Sequence, residues 1–182
     1  MYDLRRAPTE LKWVVTLLLA TFGCAYIFGG VMVALYAGFT PQGVAATYAG
    51  HEMSMAMPPD TTMVLEHRMA PGDFAEAAPH TVDTDLLVQD THVHMPMYGV
   101  IAAALCVITL GLTLSRKWRL TLIALLFAAP WLDFAGMWLT KFVSPHLAVL
   151  TITGGWAMGL GYTVVAVLAV WQMWLSKKGV AV

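Results

Sequence analysis

Four runs of apolar residues, each about as long as a bilayer is thick, limit what this chain can become. They cover approximately residues 11–37, 96–114, 120–142 and 145–175. A helix needs about 20 apolar residues to cross a hydrocarbon core of about 30 Å. In lipid the backbone must satisfy its own N–H and C=O groups, so only helices and closed barrels span it. Composition agrees: 59% of the 182 residues are hydrophobic and 12% are charged, against roughly a quarter charged in soluble domains. The expected fold is an all-α membrane protein with one membrane domain over residues 1–182, an antiparallel four-helix transmembrane bundle.

The formal net charge of -1 conceals a segregation. Eight of the ten Lys and Arg (Arg5, Arg6, Lys12, Arg116, Lys117, Arg119, Lys177, Lys178) stand at three helix ends. By the positive-inside rule these ends and both termini are cytoplasmic, and the segment over about 38–95 is extracytoplasmic. Trp13, Trp118, Trp171 and Trp174 fall at the same inner interface, where amphipathic rings prefer to sit. The first run is longer than the 7–15-residue core of a signal peptide and reads as an uncleaved span.

The exterior segment is acidic, with Glu52, Asp60, Glu66, Asp73, Glu76, Asp83, Asp85 and Asp90 against Arg68 alone. Thr40-Pro41 is an N-cap and first-turn pair that predicts a short helix near residues 40–49. His51, Met53, Met55 and Met57 follow it, and thioethers beside an imidazole are soft donors suited to Cu(I). The same methionines could equally do no more than touch lipid.

Thr91-His92-Val93-His94-Met95-Pro96 leads into the second run. Proline disfavours an α conformation at the residue before it, so the regular helix is expected to begin at Pro96 with His92 and His94 extended. Alternate residues of an extended segment point the same way, so His92 and His94 can serve one ion. In a helix they would diverge by about 200°. Asp133 is the one acid inside a run, and such a group costs roughly 2.5–3.5 kcal/mol on insertion scales, which marks a function or a specific partner. Ser144-Pro145-His146 opens the fourth run and puts His146 on the outer side. His92, His94 and His146, with Asp133 orienting one of them, make a Zn or Cu site. Ligation of haem b by His94 and His146 is the rival, and histidines at the interface with no ligand are the third possibility. Gly155 and Gly159 are spaced for close helix approach. Cys24 and Cys106 lie mid-span, where a small buried hydrophobe is the expected role.

Thr40-Pro41-Gln42-Gly43-Val44, Tyr48-Ala49-Gly50, the Thr91-His92-Val93-His94 entry and Leu132-Asp133-Phe134-Ala135-Gly136-Met137-Trp138 together resemble a group of small four-span bacterial inner-membrane proteins of no settled function. The resemblance covers most of the chain. It implies a multi-pass inner-membrane architecture and a shared site at His92, His94 and Asp133; it implies no reaction. The methionine-rich part and Pro96 depart from the group.

The leading expectation is a metal- or haem-binding accessory or electron-transfer subunit of a bacterial respiratory membrane, its acidic segment attracting a basic soluble cytochrome. Copper handling through Met53, Met55 and Met57 is one alternative, and a cofactor-free structural subunit of a larger membrane complex is another. No nucleophile–base pair, phosphate loop or basic surface suggests a hydrolase, a kinase or nucleic-acid binding.

Overall fold

Caps written in the sequence start three of the helices. Thr40 accepts from the Gly43 amide at 3.1 Å, Ser115 from the Trp118 amide at 3.5 Å and Ser144 from the His146 amide at 3.4 Å. Each satisfies a donor that the first turn leaves open. The computed structural model describes residues 3–49 and 81–176. Among them are α1 (Thr9–Tyr36), α2 (Pro41–Tyr48), α3 (Thr84–Leu110), α4 (Arg116–Phe142) and α5 (Ala148–Val170), with no strand. Single turns of 3-10 helix cover Leu4–Arg6 and Pro145–Leu147, and a π turn over Trp171–Leu175 ends α5. α1, α3, α4 and the run Pro145–Leu175 are long and apolar enough to cross a membrane. The described residues therefore form a helical, multi-pass membrane bundle.

One end of the bundle gathers the basic residues. The Leu4 amide donates to Gly111 O at 3.0 Å, and Leu4 is fully buried, which pins the N-terminal turn under the α3–α4 connection. Gln172 accepts from both the amide and the hydroxyl of Thr113, at 2.9 and 2.7 Å. Lys12 donates to Met173 O at 2.8 Å, one of the carbonyls at the end of the last helix. Trp13 and Trp174 meet edge to face at 5.4 Å. The main core lies above this basic end, where Leu19, Leu105, Ile108, Leu126 and Val165 pack together. A smaller core of Leu87, Phe134 and Met137 lies toward the opposite, α2 end.

α3 corrects the expectation of a helix starting at Pro96. It begins at Thr84 and runs through the proline. A proline removes one intrahelical bond and leaves the turns before it free to be held by other contacts. Here those contacts are strong. Leu87 is fully buried, Thr91 donates to Leu87 O at 2.7 Å, and the Trp138 indole of α4 donates to the Thr91 hydroxyl at 3.0 Å. Tertiary packing overrides the local preference of Met95.

α4 and α5 make the closest helix contact. A Cβ added at Gly154 of α5 would collide with the backbone of Asp133, and one added at Gly136 of α4 would collide with Thr151 and the Leu150 carbonyl carbon. The glycines are reciprocal, each lying opposite a polar residue three positions before the other. The Gly155–Gly159 spacing serves α1 instead: Tyr26 donates to Gly155 O at 3.1 Å and its phenol lies against Gly159. Tyr162 returns the contact by donating to Leu19 O. Among the described residues nothing comes within 4 Å of a Cβ built on Gly29 or Gly30.

Gly154→Ala is expected to cost about 1–3 kcal/mol, because the obstructing atoms are main chain and the helices must move apart. Gly29→Ala is expected to be neutral or slightly stabilising. Reversible unfolding in mixed micelles distinguishes the two.

Candidate functional site

Four helices converge on Asp133. It lies on α4 roughly 21 Å beyond Arg119 and roughly 12 Å before Lys141, at 1.5 Å per residue. Its backbone is pressed against Gly154, and Thr151 donates a long hydrogen bond to its main-chain carbonyl at 3.4 Å. The carboxyl group lies within electrostatic reach of Tyr26 of α1, Tyr48 of α2, and Asp90 and Tyr98 of α3. Tyr98 and Phe134 pack at 5.9 Å, and Tyr48 and Tyr98 both border the smaller core. Among the described residues the carboxyl accepts no hydrogen bond, and the Tyr48 and Tyr98 hydroxyls donate none.

α2 is held over this group by the residues that precede α3. The Val82 amide donates to Thr47 O at 2.8 Å, and Lys141 donates to Val82 O at 2.7 Å. The ammonium of Lys141 is thereby turned to a carbonyl at the rim.

At the rim, His94 and Asp90 form a pair one helical turn apart. Nδ1 of His94 stands 2.8 Å from the Asp90 carboxylate and 3.0 Å from Asp90 O. Nδ1 is therefore the donor nitrogen in both contacts, and the side chain is about half exposed. The His94 and Tyr98 rings lie 6.2 Å apart.

The continuous α3 separates His92 from His94, since two residues of a helix diverge by about 200°, and His92 is exposed. His146 is also exposed, on a turn that packs against α4 and α2 rather than α3. Among the described residues no three His, Cys, Asp or Glu side chains come together to hold a metal ion. His51, Met53, Met55 and Met57 lie outside the described residues. Cys106 is buried and Cys24 exposed, on different helices. Sequence reasoning missed Tyr26, Tyr48 and Tyr98. The available signal was their shared level: three phenols on three helices, all placed toward the same end as the one intramembrane acid.

A family model described as a transmembrane helical domain, Aq_1264_TM, matches residues 38–180. This chain belongs to that family. The matched domain contains α2 to α5 and hence Asp133, Tyr48, Tyr98, Asp90 and His94, whereas α1 with Tyr26 precedes it. No curated protein and no solved structure matches the chain.

Burial holds the Tyr48 phenol above its ordinary value of 10.0, and the negative charges of Asp90 and Asp133 push it the same way. An acid with a raised folded value stabilises fully below its unfolded value, and that contribution is lost as the pH rises beyond it. Stability is thus expected to fall as the pH climbs above about 10. Tyr48→Phe should flatten that alkaline limb in denaturation measured against pH, relative to the parent chain.

Proposed function

We propose that this protein is an accessory subunit of a bacterial respiratory membrane that presents His94 to a transition-metal ion on the periplasmic side. One observation carries the reading: the Asp90 carboxylate fixes Nδ1 of His94 at 2.8 Å. Histidines that bind metals characteristically give their other N–H to a carboxylate or carbonyl, which fixes the tautomer and ring direction. His94 does both at once, and its Nε2 is left as a lone-pair donor suited to Zn, Cu or haem iron. The orientation follows from charge. The basic end is taken as cytoplasmic with both termini, so the helices alternate in direction and the acidic segment after α2 is periplasmic.

The geometry favours an ion over a haem. The apolar cleft between α3 and α4, lined by Met95, Gly99, Phe127, Pro130 and Trp131 and not by His94, has a volume of about 180 Å³. Pockets for larger organic ligands run to about 300–1,000 Å³. His146, the second axial ligand expected from the sequence, sits on a turn packed against other helices. In the sequence of the matched domain, His51, Met53, Met55 and Met57 are further donors whose softness points to copper. A bound copper would supply one-electron chemistry; the chain's part is to hold the imidazole and to offer an acidic surface to a basic electron carrier.

Metal analysis of the purified full chain, together with its absorption spectrum, tests this. The expected result is bound copper that is lost in His94→Ala and whose affinity drops about 10–100-fold in Asp90→Asn. A Soret band that disappears in His94→Ala would replace the ion with haem. Protein that binds neither, and co-purifies with a larger complex, overturns the reading in favour of a structural subunit.

A further inference from the structure

Asp133 takes no part in the His94 reading, yet it is the one acid within the four apolar runs. Its neighbours differ from those of a carboxyl that is merely tolerated. A structural acid in a helix interior is expected to be tied to a carbonyl or to a basic side chain. Among the described residues this one has neither. Lys141, the cation nearest in sequence, is engaged with Val82 O.

A second observation lies on the same helix. Thr140 is buried to 1% exposure, and its hydroxyl has no hydrogen-bond partner among the described residues. Threonines in helices commonly satisfy themselves on the carbonyl four residues back, as Thr91 and Thr109 do here. Thr140 does not. Seven residues are close to two helical turns, so Thr140 and Asp133 share one face of α4, with Gly136 between them at the α5 contact. Along that seam α5 contributes the Thr151 hydroxyl. Hydroxyl groups thus stand on the same side of the bundle as Asp133 in two sets: Thr140 and Thr151 along the α4–α5 seam, Thr151 bound to the Asp133 main-chain carbonyl, and Tyr48 and Tyr98 of α2 and α3 at the border of the core that holds Phe134.

We propose that Asp133 is a proton-exchange site inside the bundle, loaded and unloaded from the α2 end through these hydroxyl groups. The step moves one proton from the aqueous side to a carboxylate oxygen, giving the neutral acid, and returns it the same way. No electron moves, and only O–H bonds form and break. The titratable groups within electrostatic reach of Asp133 are Tyr26 from α1, Tyr48 from α2, and Asp90 and Tyr98 from α3. α5 brings the Thr151 hydroxyl and, apart from Tyr162 farther along, no ionisable side chain. The surroundings thus hold acids and phenols, and of the basic groups at the rim Lys141 is engaged with Val82 O and His94 with Asp90. A proton is the smallest cation that relieves a buried carboxylate in such a setting.

Infrared difference spectroscopy of the full chain in liposomes, treated with chelator so that metal at His94 plays no part, tests the proposal. Acidifying the outside should raise a protonated-carboxyl band that shifts in heavy water, moves on isotope labelling of the aspartates, persists in Asp90→Asn and is lost in Asp133→Asn. After a rapid pH change, Tyr48→Phe combined with Thr140→Val should delay its appearance while leaving its final amplitude intact. If Asp133→Asn fails to fold, the labelled band of the parent chain and of Asp90→Asn decides the matter. A band that is present and constant at every pH overturns the proposal and makes Asp133 a permanently protonated structural acid. A band that responds to pH but survives in folded Asp133→Asn overturns it by assigning the proton elsewhere. Both outcomes are independent of whether His94 binds a metal.

Discussion

The approach of α4 to α5 governs the rest of the molecule. Lipid tails are as apolar as leucine, so helices in a bilayer gain little from hiding apolar surface and depend on close packing and interhelical hydrogen bonds. Two glycines supply the closeness here, Gly136 against Thr151 and Gly154 against Asp133. The same contact brings Asp133 to the seam, where its backbone is covered and its side chain is directed among groups from other helices. α3 packs on α4 through Trp138 and Thr91, α2 is held over the end by Val82 and Thr47, and α1 is added to α5. Widening the central contact by one methyl would disturb each of these attachments.

Much of the architecture was legible because a bilayer leaves so few choices. The four spans follow from length and hydropathy, and the caps at Thr40 and Ser144 locate helix starts that depend on the nearest three residues, whereas the residues over 115–119, expected as a turn, open α4 from Arg116 under the Ser115 cap. α3 was misread because the steric rule for the residue before proline is local, whereas the turns over residues 84–95 are held by Leu87 and Trp138, whose partners lie on another helix. That one difference separates His92 from His94, since the shared direction required extended backbone. Of the site, His94 and Asp133 were legible. A lone acid in an apolar run announces itself, but the phenols around it read as ordinary aromatic residues until the helices are assembled. Gly136 and Gly154 were likewise hidden: the spacing that attracted attention, Gly155 to Gly159, receives the tyrosine of α1 and leaves the central contact to glycines on two different helices.

The family match begins at residue 38 and so divides the chain at the end of α1. What lies within it contains the acid, two of the three phenols and the rim histidine. What precedes it brings Tyr26 to the same group and the N-terminal turn to the basic end. This division fits the packing, since α1 is the least buried of the four spanning helices.

The fastening of that first helix carries a consequence for sequence change. Tyr26 donates to Gly155 O and Tyr162 to Leu19 O, so both acceptors are main-chain atoms, and every amino acid supplies one at that point. Substitution at position 19 would leave its acceptor in place, whereas loss of either phenol removes a bond outright. Drift is thus permitted on one side of each link and penalised on the other. In a set of relatives that retain α1, the two tyrosines should vary less than the residue at position 19 whose oxygen one of them engages.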